Sequence, residues 1–265
     1  MRERNQTDAG IDLSLVMPCY NEEESVPVTI PRLIGAFTAA GHRLELVAVD
    51  NGSTDGTAAA LKRLAAAHPE VRIETVDVNI GYGNGLLRGI PRTSASWVGF
   101  IPADGQVDAA DVVHLYESAA ASRGDVIAKA RRRFRMDGLW RKLVSVSYNL
   151  LVRIMWPTMD TLDVNGTPKI LPRKALLAMQ LESRGWFLDP EIMIKSHYMG
   201  LRVLEFNVFA RMRGSGTSHV RKETCVEFLR SLIAYRFTSK LAAWRRDIAD
   251  WHHSADQVTV EAGRS

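Results

Sequence analysis

The chain has few cysteines and no long apolar runs. Only Cys19 and Cys225 occur among its 265 residues, too few for a disulfide framework, and this favours a reducing compartment such as the cytosol. No apolar run reaches the roughly 18–20 residues that span a bilayer. Residues 1–10 are polar, unlike a signal peptide, and we expect them to be flexible. The sequence therefore excludes a disulfide scaffold and predicts no spanning helix.

Two common nucleotide-binding motifs are also missing. A dinucleotide fingerprint requires Gly-x-Gly-x-x-Gly directly after the first strand, but the predicted strand 13–17 is followed by Pro-Cys-Tyr-Asn-Glu. The glycines at residues 81–85 have a different spacing and come later in the chain. The Gly-Lys-Ser or Gly-Lys-Thr ending of a P-loop does not occur. Hydride transfer on a dinucleotide and P-loop ATP hydrolysis are therefore disfavoured.

Acidic charge is scarce in the second half of the chain. Residues 1–122 contain 9 Lys and Arg against 16 Asp and Glu, whereas residues 123–265 contain 25 against 14. The basic residues cluster, as in the three arginines of residues 131–133. Such clustering indicates an anionic partner, which could be a nucleic acid, an anionic lipid or a phosphorylated small molecule.

The first half alternates short apolar runs with helical patterns. This alternation predicts a doubly wound, mainly parallel α/β sheet with helices on both faces. The predicted strands are 13–17, 44–49, 71–76, 97–101 and 125–128, and the predicted helices are 25–40, 55–67, 82–89 and 108–121. The second half is predicted to contain a long helix (138–156), a loop (158–168), a strand (201–208), a basic loop (211–219) and one or two amphipathic helices within 224–251.

Carboxylates follow two of these strands, at the sheet edge where ligands bind in such folds. Asp50 ends the second strand and could accept hydrogen bonds from a base or a ribose, or serve only as a turn residue. Asp55 is most simply interpreted as a helix cap. Asp104 follows the fourth strand and could hold Mg²⁺ or Mn²⁺ whose other ligands are diphosphate oxygens and water.

An ordered set of motifs resembles family 2 glycosyltransferases of the type A fold, most closely the dolichol-phosphate mannose and other polyprenyl-phosphate hexose synthases. The motifs are Val-Met-Pro-Cys-Tyr-Asn-Glu-Glu (16–23), Val-Asp-Asn-Gly-Ser-Thr-Asp-Gly-Thr (49–57), Asn-Ile-Gly-Tyr-Gly (79–83), Ala-Asp-Gly-Gln (103–106) and Arg-Gly-Ser-Gly-Thr-Ser-His (213–219). The resemblance covers residues 11–221, which we interpret as the catalytic domain. Residues 222–265 would form a helical extension that belongs to the same domain or contacts a membrane or another subunit.

The resemblance implies a role for each matching position. The nucleotide would be held by Pro18, Tyr20, Glu22, Asp50, Asn79, Gly81 and Gly83. Asp104 and Gln106 would bind Mg²⁺ or Mn²⁺ and the sugar diphosphate. Arg213 would lie on a loop that closes over the diphosphate, with Ser218 and His219 as further candidates. The chain departs from the family pattern at Pro102 and Asn51, where the family has aspartates, and at His219, where it has lysine.

The resemblance also implies an acceptor site. Arg131, Arg141 and Ser145 match the positions that receive a lipid phosphate in polyprenyl-phosphate hexose synthases. Independently, Arg141, Ser145, Asn149 and Arg153 recur every four residues and share one helix face, although a core-packed helix with a solvated stripe would show the same spacing. Trp140 and Trp156 flank this helix and suit a membrane interface. Asp163 and Lys169 align with a turn that lies beside the donor sugar.

The expected activity is inverting transfer of a hexose from GDP- or UDP-hexose to a polyprenyl phosphate, by a peripheral protein on the cytoplasmic face of a membrane. A phosphate oxygen is already anionic, so no strong general base is required. Transfer to a sugar or protein hydroxyl would require one, and the candidates are Asp189 and Glu191, which could instead be dipole-stabilising residues at a helix start. A third interpretation is an inactive nucleotide-sugar-binding protein. Nucleic-acid binding is disfavoured, and an oligomer stays open.

Overall fold

The computed structural model describes residues 10–122, 125–132, 148–159, 161, 163–208 and 222–248. Within these ranges, seven strands form one sheet in the order β3-β2-β1-β4-β6-β5-β7. The strands are β1 (Leu13–Cys19), β2 (Leu44–Asn51), β3 (Val71–Val76), β4 (Trp97–Phe100), β5 (Val126–Arg132), β6 (Lys169–Pro172) and β7 (Arg202–Val208). Only β6 is antiparallel to its neighbours β4 and β5, and the other described pairs are parallel. The predicted mainly parallel α/β sheet is confirmed.

Helices cover both faces of the sheet. In the described residues they are α1 (Val26–Ala39), α2 (Thr57–Ala67), α3 (Tyr82–Gly89), α4 (Ala109–Ala121), α5 (residues 148–155), α6 (Arg173–Ala178), α7 (Leu188–Tyr198), α8 (Lys222–Phe237) and α9 (Ser239–Asp247). Buried side chains of α1, α2 and α4 form one apolar cluster with the sheet. Buried side chains of α3, α5 to α7 and the C-terminal helices form a second. Two layers of helix on one sheet give each strand face an apolar partner.

The central strands are mostly apolar because both of their faces are covered. Every residue of β2 is buried, as are all residues of β1 except Pro18. Such strands read as continuous apolar runs rather than alternating patterns. At their amino ends, the buried carboxylate of Glu45 accepts hydrogen bonds from the Ser14 hydroxyl and the Ser94 amide, at 2.5 and 2.8 Å. The predicted site residues Asp50 and Asp104 lie at the opposite, carboxyl edge.

Two elements were not expected from the sequence, β6 and α6, whereas α7 matches the helix start that was one of the two interpretations of Asp189 and Glu191. Lys169 was predicted to lie in a turn beside the donor sugar, but it is the first residue of β6 and is fully buried. The described residues of the loop predicted at 158–168 lie outside helices and strands. Of the predicted helix 138–156, residues 148–155 are helical and residues 138–147 lie outside the described ranges. Within the described ranges, no helix combines the length and the apolar character needed to cross a bilayer.

Candidate active site

The loops after β1 and β2 are joined by side-chain hydrogen bonds to backbone amides. Asn21 accepts a hydrogen bond from the Thr54 amide at 2.9 Å, and the Glu23 carboxylate accepts one from the Gly56 amide at 2.7 Å. Asp55 accepts hydrogen bonds from the amide and the hydroxyl of Thr57, at 2.9 and 2.5 Å. Desolvation acts to raise the pKa of Asp55, but these hydrogen bonds lower it overall. The carboxylate therefore stays ionised and holds the first turn of α2, close to its predicted capping role.

Asp50 and Asn51 lie side by side at the carboxyl end of β2. Both are buried, with 5% and 2% of their surface exposed. Asp50 accepts a hydrogen bond from the Ser53 amide at 3.1 Å. The Asn51 amide donates to Asn79 at 3.2 Å and to the Gly81 carbonyl at 3.0 Å. An ionised aspartate could not donate these hydrogen bonds. Asn51, where the family has aspartate, therefore has a structural reason: its side chain links the second motif to the third.

One atom of this cluster offers a further hydrogen bond. The side-chain oxygen of Asn51 is buried and has no hydrogen-bond partner among the described residues. Buried polar atoms are almost always paired.

The glycines of the third motif allow a second loop to approach α3. A Cβ on Gly81 would lie 2.5 Å from the Arg184 carbonyl oxygen, and a Cβ on Gly83 would lie 2.7 Å from that of Gly185. The Asn84 amide donates to the Arg184 carbonyl at 2.8 Å. Backbone contacts at residues 183–185 thus explain both glycines without any ligand. This loop contact was not predicted from the sequence.

An aromatic pair extends the same contact. The rings of Tyr82 and Trp186 are stacked, with centroids 5.0 Å apart and planes 10° apart. Trp186 is 37% exposed. The stack therefore places an accessible indole beside the Asn79–Gly81 turn, and sequence reasoning did not single it out.

The residues of the first motif reach the same cluster. A Cβ on Gly85 would meet Pro18 at 3.0 Å and Asn51 at 3.3 Å, so β1, β2 and α3 converge there. The Glu22 amide donates to the Thr57 hydroxyl at 2.8 Å, and Tyr20 lies half-buried in the same loop. Cys19 is buried, and its pKa is raised by desolvation and then by Glu22 and Asp50. A protonated, buried thiol is not a nucleophile.

Asp104 and Gln106 occupy the turn after β4, next to β1 in the sheet. The Asp104 carboxylate accepts a hydrogen bond from the Gln106 amide at 3.2 Å and is half-buried. Among the described side chains, no group of three or more His, Cys, Asp or Glu is placed to hold a metal ion. A single accessible carboxylate fits Mg²⁺ or Mn²⁺ when substrate phosphates and water complete the coordination. Pro102 adds no ligand.

The predicted acceptor residues are only partly within the described ranges. Arg131 lies near the end of β5 and is half-buried. Arg141, Ser145, Arg213, Ser218 and His219 lie outside the described residues. Asn149, on the predicted polar face of α5, accepts a hydrogen bond from the Val164 amide at 3.2 Å. Trp156 is 3% exposed and belongs to the core, so its predicted place in a membrane interface is wrong.

Two fully buried lysines lie opposite each other on β5 and β6. Lys129 and Lys169 are paired in the antiparallel register. Lys129 donates to Glu205 at 2.6 Å and to the Asp163 carbonyl at 2.5 Å, and Lys169 forms an ion pair with Asp189. Burial lowers the pKa of Lys169, Asp189 opposes that shift, and the nearby Lys129 adds to it. Asp163 and Lys169 thus lie close together, with Lys169 in the interior and Asp163 half-buried.

Asp189 and Glu191, the candidate bases, are both committed to internal contacts. They lie in the first turn of α7 and are 5% and 1% exposed. Asp189 is paired with Lys169. Glu191 accepts hydrogen bonds from Lys195 at 2.7 Å and from the Ser183 amide at 2.9 Å. This geometry agrees with the structural interpretation of the two carboxylates given above.

Comparison with known proteins identifies the class. Residues 14–177 match the family model described as glycosyl transferase family 2. The match covers more than half of the chain, so the chain belongs to this family, and the resemblance drawn from the motifs is confirmed.

Two curated relatives and one solved structure agree with this assignment. An undecaprenyl-phosphate 4-deoxy-4-formamido-L-arabinose transferase of Pectobacterium carotovorum is 37% identical over 144 residues, which cover 54% of this chain and 43% of the relative. The chain thus spans less than half the length of that relative. An uncharacterized glycosyltransferase of Mycobacterium tuberculosis is 31% identical over 217 residues, 80% of this chain and 91% of the relative.

The solved structure is glucosyl-3-phosphoglycerate synthase from Mycobacterium tuberculosis, in complex with Mn²⁺, UDP and phosphoglyceric acid. It superimposes with a TM-score of 0.66 at 22% identity, and covers 85% of this chain and 77% of the synthase. At this identity the likeness establishes the shared fold alone. The chain is therefore a family 2 glycosyltransferase with the fold of that synthase.

Proposed function

We propose that this glycosyltransferase moves a hexose from a nucleoside diphosphate hexose to the phosphate of a polyprenyl lipid, with inversion at the anomeric carbon, on the cytoplasmic face of a membrane. The relatives named as undecaprenyl-phosphate transferases support the choice of acceptor. So does the basic second half of the chain, which suits an anionic substrate.

The choice of acceptor rests on one observation: Asp189 and Glu191 are buried in ion pairs. Attack by a hydroxyl needs a carboxylate that can take a proton. Each of these carboxylates is buried and paired with a lysine. A phosphate oxygen carries negative charge already and gives up no proton on attack. Transfer to a phosphate needs no general base. It is therefore compatible with a site in which both candidate bases are paired with lysines.

The donor would bind across the carboxyl ends of β1, β2 and β4. Asp50 would hold the nucleoside through its carboxylate at the end of β2. Asp104 and Gln106 would face the diphosphate and hold Mg²⁺ or Mn²⁺. When bound, the cation neutralises charge on the departing diphosphate. Arg213 would add positive charge on the same side.

The acceptor phosphate would be held by Arg131, Arg141 and Ser145. Its oxygen attacks the anomeric carbon from the face opposite the diphosphate, so one carbon–oxygen bond forms while the other breaks. These residues contribute by positioning the reactants and by electrostatic stabilisation. Arg141 and Ser145 are four residues apart, so on a helix they can face one phosphate.

Substitutions of Arg141 test this proposal. Arg141→Ala should lower acceptor kcat/KM by about ten- to a hundred-fold, because a charge-assisted hydrogen bond is worth about 1.5–3 kcal/mol. Arg141→Lys should show a smaller loss, since lysine keeps the charge but lacks the bidentate fork. Donor affinity, measured by calorimetry, should stay nearly constant in both variants. Arg63→Ala, an exposed arginine on α2, is the matched control.

A donor screen must come first, with radiolabelled GDP- and UDP-hexoses, polyprenyl phosphate, and Mg²⁺ or Mn²⁺ present or absent. Loss of donor affinity in Arg141→Ala, or unchanged acceptor kinetics, would contradict the acceptor assignment. Product formed only on a sugar or protein hydroxyl would establish the hydroxyl alternative. Absence of turnover with every donor, with nucleotide-sugar binding retained, would establish the inactive binding protein.

A further inference from the structure

Four large apolar side chains are exposed on two helices of the second half. On α5, Leu150 and Ile154 are 57% and 68% exposed, and on α8, Ile233 and Phe237 are 45% and 79% exposed. Members of each pair are four residues apart and therefore lie on one side of their helix. We name these four residues the α5–α8 face.

The carboxyl ends of the two helices lie close together. Val152, Trp156 and Leu232 are buried members of one apolar cluster. The Arg236 guanidinium lies 5.9 Å from the ring centroid of Trp156 and 5.9 Å from that of Phe237. Phe237, at the end of α8, therefore lies near the end of α5, and the two exposed pairs lie on neighbouring helices.

Positive charge accompanies this surface. Arg153, Arg230 and Arg236 are exposed on the same two helices, and Arg245 and Arg246 are exposed on the following helix α9. Residues 148–159 and 230–237 contain no aspartate or glutamate. Exposed apolar side chains combined with arginines are the composition that binds an anionic bilayer surface: the apolar groups enter the headgroup boundary, and the cations pair with lipid phosphates.

We propose that the α5–α8 face docks on an anionic phospholipid bilayer. The inference rests on the proposed function, since a polyprenyl phosphate lies at a membrane surface. Arg141 and Ser145, the proposed phosphate-binding residues, precede Leu150 in the same predicted helix. Docking through this face would bring the acceptor site to the headgroup layer, where the enzyme can reach the phosphate while the prenyl chain stays in the bilayer.

The test is co-sedimentation of the full chain with vesicles that contain no polyprenyl phosphate. Wild type should bind vesicles of phosphatidylcholine with about one third phosphatidylglycerol, and bind pure phosphatidylcholine vesicles much less. Phe237→Glu should lower the partition coefficient by about tenfold or more, because it replaces an inserting ring with a repelled charge. Leu177→Glu is the matched control, since Leu177 is 46% exposed on α6, and it should bind like wild type.

A second variant guards against misfolding. Leu150→Ser combined with Ile154→Ser should also weaken binding about tenfold, with a thermal midpoint close to that of wild type. Wild-type binding by either variant, or no binding by the wild type, would overturn the proposal. A wild-type dimer that Phe237→Glu makes monomeric in sedimentation equilibrium, without vesicle binding, would assign the face to a second copy and overturn it as well.

The outcome is separable from the proposed function. Turnover of a short, detergent-soluble polyprenyl phosphate should be unchanged in Phe237→Glu, because no bilayer is needed there. Failure of vesicle binding with this turnover intact would reject the docking face alone. Absence of turnover with any acceptor phosphate would reject the proposed function, and with it the reason for docking.

Discussion

Each half of the sheet is stabilised by its own kind of interaction. Around β1, β2 and α3, loops are joined by short polar side chains that hydrogen-bond to backbone amides and carbonyls, as Asn21, Glu23 and Asn51 do. Around β5, β6 and α7, buried lysines form ion pairs with carboxylates. Hydrogen bonds to the backbone hold the loops of the first region in place and leave a surface that can bind a ligand. The buried ion pairs of the second region stabilise an interior and leave few groups free to react.

The largest expected effect concerns the ligand-binding side. Asp104→Ala should abolish transfer, since it removes the only protein carboxylate proposed for the cation, while the denaturation midpoint stays near that of wild type. The measurement is radiolabelled product formation with saturating Mg²⁺ or Mn²⁺. Activity within about threefold of wild type would show that the cation is held elsewhere.

The next effect concerns the interior side. Lys169→Met should reduce the free energy of unfolding by about 3–5 kcal/mol, because it leaves Asp189 buried without its counter-charge. Lys169→Met combined with Asp189→Leu should recover most of that loss. Urea denaturation gives both values. The control is Lys240→Met, whose pair with Glu182 is in solvent and whose loss should hardly move the midpoint. If all three variants behaved alike, the contrast between the two halves would fail.

A smaller effect tests how tightly the two halves are joined. Gly83→Ala should cost about 1–3 kcal/mol of stability, because the added Cβ meets backbone atoms of residues 183–185 that cannot rotate away. Gly35→Ala is the control: no atom lies within 4 Å of a Cβ there, and in the interior of α1 alanine is favoured over glycine by about 0.5–1 kcal/mol. Equal stability of the two variants would contradict the loop contact.

The smallest effect is expected at Asp50. Asp50→Asn keeps an oxygen that can accept from the Ser53 amide but removes the charge offered to the nucleoside. Donor KM should rise about three- to tenfold with a smaller change in kcat. Steady-state kinetics with varied donor measures both constants. An unchanged donor KM would remove Asp50 from the nucleotide site.

The first half of the fold was predictable because its patterns are local. The predicted strand 71–76 and helix 82–89 agree with β3 and α3 at every residue, and the other predicted strands of that half differ at their ends by a few residues. Turns with Asp, Asn and Gly at the strand ends indicated the candidate site. The family motifs could be recognised for the same reason, because each is a short local stretch of sequence.

The second half was harder because its structure depends on distant pairing. β6 has four residues and begins with Lys169, whose burial requires Asp189 twenty positions later. Helix α7 is buried on all sides from Leu188 to Ser196 although it contains Asp189, Glu191 and Lys195. A helix of that composition shows no apolar stripe. Only the folded partners reveal that its charges are internal.

The loop at residues 183–185, which packs against Gly81 and Gly83, is itself held by contacts with α7 and α9. The Glu191 carboxylate accepts from the amides of Glu182 and Ser183, and the Trp244 indole of α9 donates to the Ala178 carbonyl at 3.1 Å. Segments far apart in the sequence therefore depend on one another for their positions. A relative with a side chain at position 83 must route its backbone differently at 183–185, and a loop graft between relatives will succeed only if the glycine turn is transplanted along with it.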